Sequence, residues 1–261
     1  MDLGIKNRVA LVLGAGGGLG GAIALSLANE GATVVGCDIS SAALESTVER
    51  GKAQGVVIRP MVADIADLKA LEDMVEAITK REGSISILVN MTGGPPPTKA
   101  AGVLPATWNT YFQSMVLPVF HLTDLVLPGM RASGWGRVIT STSSGVVVPI
   151  PNLGISNTLR SSLVGWSKTL AAEVGRDGIT ANVVLPGRIA TQRIVSLDEA
   201  KAKREDRSVS AVKIESTDTI PVGRYGEPRE YGDVVAFLAS DRASFINGSV
   251  IRVDGGMIPS I

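Results

Sequence analysis

An α/β fold is what this sequence predicts: one mostly parallel, doubly wound sheet of seven strands with helices on both faces. Three observations predict it. Apolar runs alternate with helix-spaced patterns from end to end of the 261 residues, as strand–helix units joined by crossovers require. Several strand candidates are continuously apolar rather than alternating, as strands covered on both faces must be. A glycine-rich turn lies between the first strand and the first helix, where this architecture binds its ligands.

Each element follows in order. RVALVLG (8–14) is the first strand, and GGAIALSLANEG has helical spacing and stops at Gly31. ATVVGCD (32–38) is the second strand, followed by a helix through SAALESTVER. VVIRPMVAD (56–64) is the third strand and LKALEDMVEAITKRE the third helix. ISILVN (85–90) is the fourth strand, and one long helix is expected over 107–131, disturbed at Pro118. GRVITSTSS (136–144) is the fifth strand, 153–175 the fifth helix and ITANVVLP (179–186) the sixth strand. Residues 191–220 are polar and mixed, the least sheet-like part of the chain. REYGDVVAFLAS and GSVIRVDGG supply the last helix and strand. There is no linker, repeat or low-complexity tract, so one domain over 1–261 is expected, with 191–220 as a lid over the substrate.

Composition excludes several functions. Lys+Arg and Asp+Glu both number 25, so nothing attracts nucleic acid or an anionic membrane. Aromatic residues are 4%, too few for stacking on single strands. One cysteine, Cys37, and one histidine, His121, exclude an internal disulfide and a Cys/His zinc site; no metal is expected. His121 lies in a helix-like run and is read as a structural or surface residue. The N-terminus lacks a signal-peptide layout and no apolar run is long enough to span a bilayer, so a cytoplasmic protein is expected.

The first strand ends in GAGGGLGG, residues 14–21. Glycines there let the backbone approach a pyrophosphate, which sits among free N–H groups at the positive end of the helix. Two frames fit: Gly14, Gly18 and Gly20 as GxxxGxG, or Gly16, Gly18 and Gly21 as GxGxxG. Asp38 closes the second strand, 18 residues after Gly20. A carboxylate there accepts hydrogen bonds from both ribose hydroxyls and repels a 2′-phosphate, which favours NAD(H) over NADP(H). Asp38 can equally be a helix cap, although Ser40 or Ser41 would serve that role. Loop and acid alone also suit S-adenosylmethionine.

Later motifs narrow the choice. In order they are GAGGGLG at 14–20, AD at 63–64, LVNMTGG at 88–94, GRVI with Ser143, PGRIAT at 186–191 and VDGG at 253–256. On these the chain resembles the short-chain dehydrogenase/reductase family over essentially its whole length. VNMTGGPPP and WGRVI look most like a divergent branch similar to 3-oxoacyl-carrier-protein reductases. The resemblance implies a Rossmann-like sheet, a nicotinamide cofactor, and interconversion of alcohols and carbonyls on a small molecule. It places Gly14, Gly18, Leu19 and Gly20 on the phosphate loop and Asp38 at the ribose. Asp64 and Ile65 fall beside the adenine, and Asn90 at the end of the fourth strand. Pro186, Gly187, Ile189 and Thr191 match the segment that holds the nicotinamide carboxamide. Asp64 by itself reads as a capping or turn residue. A homodimer or homotetramer is implied too, and a tetramer is expected from apolar residues on two long helices, including Leu117, Val119, Leu163, Val164 and Trp166.

The catalytic pattern departs from the family. The family places a tyrosine thirteen residues after its serine and a lysine four beyond that. Ser143 matches the serine, but Ser156 and Arg160 occupy the other two positions, and Met115 aligns with the family's asparagine. No tyrosine of the three is followed four residues later by lysine. A phenol begins near pKa ~10 and a neighbouring cation lowers it; a serine hydroxyl is a far weaker acid. Arginine stabilises an alkoxide but is a poor proton donor. Ser156 and Arg160 share one helix face, and Arg160 can still reach the nicotinamide ribose. Two readings follow: an NAD(H)-dependent oxidoreductase whose proton relay uses Ser143, Ser156 and Arg160, or a non-catalytic NAD-binding or scaffold protein. Ser143 can also be a strand-end hydroxyl bonded to backbone, and Arg160 a surface cation. The charges at Arg193, Lys201, Lys203, Arg204, Glu205, Asp206 and Arg207 read as a solvated helix face, and Pro95–Pro97 as a stiff wall near the site mouth.

Overall fold

A computed structural model describes all 261 residues. Seven parallel strands form one sheet: β1 (Val9–Leu13), β2 (Thr33–Asp38), β3 (Ile58–Val62), β4 (Ile85–Asn90), β5 (Gly136–Ser141), β6 (Ile179–Pro186) and β7 (Val250–Val253). Their order across the sheet is β3-β2-β1-β4-β5-β6-β7. The order reverses between β1 and β4, and a crevice opens beyond the carboxyl ends of strands at such a switch point. Pairing is in register from Val9 against Thr33 to Leu13 against Cys37.

The continuous apolar runs are explained by burial on two faces. Ala10 and Val12 of β1 point into one core with Val34, Ile87, Val89 and Val184. Leu11 and Leu13 point into the other with Val35, Leu88 and Val138. Helices α1 (Gly18–Asn29), α2 (Ser41–Ala53) and α9 (Pro228–Leu238) cover the first face. Helices α3 (Leu68–Glu82), α5 (Leu117–Ser133) and α6 (Gly154–Val174) cover the second. A third, smaller cluster joins α6 to α4 (Pro105–Met115) through Met115, Val116, Val119, Ile155, Leu159 and Leu163.

Two regions differ from expectation. The long helix over 107–131 is two helices, α4 and α5, broken at Val116. Pro118 has no N–H to continue the ladder of α4 and instead sits in the first turn of α5, where none is needed. Residues 191–220 carry two helices, α7 (Gln192–Glu205) and α8 (Val209–Asp218). Solvent-accessible charge pairs link them, Lys201 Nζ lying 2.7 Å from Glu215 with Arg207 also reaching Glu215, and Ala202 and Val212 are buried. Element ends shift as well: β3 and β5 are shorter than expected, and Ser144–Val146 forms a 3-10 turn after β5. No helix is long and apolar enough to cross a membrane.

Candidate active site

The phosphate-loop candidate is built from glycines with separate duties. Gly14 has φ 63°, a left-handed conformation open to glycine, and this turns the chain out of β1. The Gly17 N–H donates to the Gly14 carbonyl at 3.0 Å. Helix α1 begins at Gly18 with no side-chain cap, so its first amides are available to an anion. A β-carbon on Gly20 would collide with the Gly14 carbonyl. One on Gly18 would lie 2.6 Å from Thr191 Cγ2. The Gly14, Gly18 and Gly20 frame therefore shapes the turn and its approach to Thr191. Gly16 packs on Asp38 and Ala43, and Gly21 faces Thr47 and Arg50 of α2. Leu19, half-buried on α1, backs the loop against the first core.

Asp38 ties the loop to the end of β2. Its Oδ2 accepts the Gly16 N–H at 3.0 Å and its Oδ1 the Ser40 N–H at 3.0 Å. It is not the cap of α2; the Ser40 hydroxyl is, accepting the Ala43 N–H at 3.3 Å. Beside it, burial and then the Asp38 charge push the Cys37 thiol up to about 12, so Cys37 is no nucleophile. Asp64 is exposed and accepts the Ala66 N–H at 2.9 Å, the geometry of a turn residue, and Ile65 packs on the second core.

The carboxyl ends of β4 and β5 carry buried polar atoms without protein partners. They are Asn90 Oδ1, Thr92 Oγ1, Thr140 Oγ1 and Thr142 Oγ1. Asn90 Nδ2 reaches Thr123 Oγ1 at 3.5 Å, a long contact that leaves the amide poorly held. Buried groups of this kind are satisfied by water or ligand in working proteins. The glycine cradle on one side and these orphaned groups on the other fit a dinucleotide lying across the switch point.

The segment after β6 completes that crevice. Gly187 donates its N–H to Val253 O at 2.9 Å and packs tightly on Asp254. Pro186 ends β6, and Ile189 is buried and bridges to Gly226. Thr191 is the N-cap residue of α7 but its hydroxyl makes no cap hydrogen bond, so that hydroxyl is available in the crevice. Asp198 of α7 anchors this segment from above: it accepts the Tyr225 hydroxyl at 2.7 Å and pairs with Arg188 at 3.3 Å.

Ser156 and Arg160 lie one turn apart on α6, each 8% exposed. The expected alternative, a surface cation at Arg160, is corrected by this burial. Arg160 Nη2 donates to Gly93 O at 2.8 Å and to Thr92 O at 3.2 Å. Burial first, then the nearby Arg193 charge, lower Arg160 to about 10. Ser156 Oγ makes no hydrogen bond within the protein. Ser143 caps the 3-10 turn that packs against α6, its Oγ accepting the Gly145 N–H at 3.1 Å. The backbone-bonded serine foreseen as an alternative is thus present, although the hydroxyl proton is still available. Met115 is buried in the α4–α6 cluster and offers no polar atom. Tyr225 and Tyr231 are engaged elsewhere, Tyr231 with Ser141 at 2.7 Å in the core. Thr98 pairs with Leu153, which ties the Pro95–Pro97 loop to the start of α6.

One residue escaped the sequence reading. Arg193, set among lid charges read as a solvated face, is exposed as that reading requires, and its guanidinium also reaches Gly94 beside Arg160. Nothing local marks it, because its neighbour in space is 33 residues away in sequence.

Comparison with known proteins agrees with this geometry. Residues 14–258 match the family described as enoyl-(acyl carrier protein) reductase. The chain is 34% identical to the 3-oxoacyl-[acyl-carrier-protein] reductase FabG of Escherichia coli, over 98% of this chain and 99% of that one. It is 32% identical to the FabG of Thermotoga maritima, over 97% and 99%. Among solved structures, L-sorbose reductase from Gluconobacter frateurii, complexed with NADPH and L-sorbose, superposes with a TM-score of 0.93 at 30% identity, covering 100% of each chain.

Proposed function

The chain belongs to the short-chain dehydrogenase/reductase family, and on that premise we propose that it is an NAD(H)-dependent oxidoreductase interconverting an alcohol and a carbonyl on a small molecule, through an altered proton relay. The observation that carries this reading is Thr191 against Gly18, the nicotinamide-side segment seated on the phosphate loop. The catalytic relatives, FabG proteins and L-sorbose reductase, support carbonyl chemistry.

A bound nicotinamide supplies or accepts the hydride. The chain's own residues do the rest. Gly14, Gly18, Leu19 and Gly20 hold the pyrophosphate, and Asp38 the adenosine ribose. Asp64 and Ile65 border the adenine, and Asn90 lines the crevice at the end of β4. Pro186, Gly187, Ile189 and Thr191 orient the carboxamide, while α7 and α8 close over the substrate. Ser143 and Ser156 hold the substrate oxygen and a water, and Arg160 stabilises the alkoxide and contacts the nicotinamide ribose. The water delivers the proton that a phenol would otherwise give. General acid–base catalysis contributes about 10²–10⁴-fold, whereas positioning contributes up to ~7–11 kcal/mol, so loss of the tyrosine need not abolish hydride transfer.

NAD(H) is proposed although the structures of L-sorbose reductase and of actinorhodin polyketide ketoreductase contain NADPH. The reason lies in this chain: the Asp38 carboxylate closes β2, and the following residues, Ile39 to Ala43, bring no arginine to offset it. A non-catalytic NAD-binding role is the second reading, favoured by the loss of Tyr, Lys and Asn together. Titration with NADH and NADPH, followed by turnover with ketones, aldehydes and diketones, separates the two. Binding without turnover on any carbonyl would favour the second.

A further inference from the structure

We propose that Arg160 and Arg193 form an anion subsite, and that the substrate carries a carboxylate bound between them. The inference rests on the oxidoreductase reading and names its substrate class. Arg160 is buried yet pairs with no carboxylate; its protein partners are two carbonyl oxygens, both on Nη2. Its Nε–H and Nη1–H groups have no protein acceptor. A buried cation is normally paired, because removing its charge from water is costly. Arg193 is exposed and pairs with no carboxylate either, so its guanidinium is free to meet an anion at the same spot.

The two guanidinium groups converge. A β-carbon placed on Gly94 would lie 3.6 Å from Arg160 Nη2 and 3.8 Å from Arg193 Nη2. Both guanidinium groups thus face one point beside Gly94, Arg160 from the buried side and Arg193 from the exposed one. Gly93 and Gly94 carry no side chain to cover the spot, and the proline loop beside them is pinned to α6 at Thr98 and Leu153. Arg160 belongs to the same helix face as Ser156, so an anion held there lies beside the proposed reacting centre. Guanidinium forks suit a planar carboxylate in two-point contact.

The test uses acetoacetate and methyl acetoacetate, near-isosteric β-keto compounds that differ in charge. Binding of each to the protein loaded with NAD⁺ is measured by calorimetry, and NADH oxidation with each is measured separately. Acetoacetate should bind at least about tenfold tighter than its ester, the range of a charge-assisted contact. Arg193→Gln should remove most of that preference and leave ester binding and NADH affinity unchanged. Gly94→Asp supplies a carboxylate from the chain itself; it should abolish acetoacetate binding and raise the melting temperature. Lys203→Gln, an unpaired lid cation elsewhere on α7, should change neither.

Equal affinity for acid and ester, or no saturable binding of acetoacetate, overturns the proposal. So does an Arg193→Gln protein that loses NADH affinity but keeps the acid preference, because Arg193 would then serve the cofactor's pyrophosphate. Acid preference without turnover supports the subsite while the catalytic reading fails; turnover without acid preference does the reverse.

Discussion

On the proposed reading, Ser156 and Arg160 set the chemistry, and that role is testable one side chain at a time. If they stand where a phenol and an ammonium would, the double substitution Ser156→Tyr/Arg160→Lys should raise reduction of an activated ketone by about 10²–10⁴-fold. Either change alone should do far less, because lysine acts by acidifying the phenol and the arginine fork fills the space a ring needs. Steady-state rates of the three variants give the answer, and additive effects would refute the shared role. At the other end of the crevice, NADH should bind at least about tenfold tighter than NADPH, the scale of one charged contact. Asp38→Ala should narrow that gap chiefly by weakening NADH. Fluorescence titration of both cofactors checks it, and unchanged selectivity would mean Asp38 serves only Gly16 and Ser40. The shared face of Ser156 and Arg160 is legible in sequence, since four-residue spacing fixes it. The partners of Arg160 are not legible, because Thr92 and Gly93 lie 68 and 67 residues away and contribute backbone carbonyls, which any residue type carries.

Among elements, the glycine loop is the joint between the two halves of the proposed cofactor site. Gly18→Ala would press a methyl group into Thr191, whose Cβ stands 2.8 Å from that position and cannot swing aside as a long side chain would. The expected outcome is NADH affinity reduced by roughly tenfold or more, given one displaced contact set, with the far-UV circular dichroism spectrum unchanged. Retained affinity would show that α1 and α7 need not approach. The strands and most helices could be read from sequence because each buries a fixed face, which imposes its period on the residue pattern. The boundary at Val116 required knowing how Pro118 would be used, as a kink within one helix or as the start of another. Helices α7 and α8 were not legible as helices: their buried positions include Asp198, Ala202, Val212 and Ser216, and charge pairs replace an apolar stripe.

At the scale of the whole molecule, the parallel sheet and its switch point bring the glycine loop, the orphaned polar groups of β4 and β5, and Thr191 to one edge. The expected tetramer needs a different argument from the one sequence offered. Val119 and Leu163 are buried within the chain, and Leu117, Val164 and Trp166 are half-buried, so those helices present less apolar surface than their composition suggested. Phe112 on α4 is exposed, and other exposed apolar side chains lie elsewhere, at Leu104, Phe245 and Ile261. If the expected tetramer forms, light scattering should give a mass about four times the 27.0 kDa chain; a mass near 27 kDa would contradict it. The central claim, that a site without the tyrosine–lysine pair still transfers hydride, is tested most directly with NADH deuterated at C4 on each face in turn. The purified protein, incubated with each labelled cofactor and the carbonyl panel, should transfer deuterium from one face only to the carbon of a product alcohol. Saturable NADH binding with no deuterium in any product from either face would contradict it.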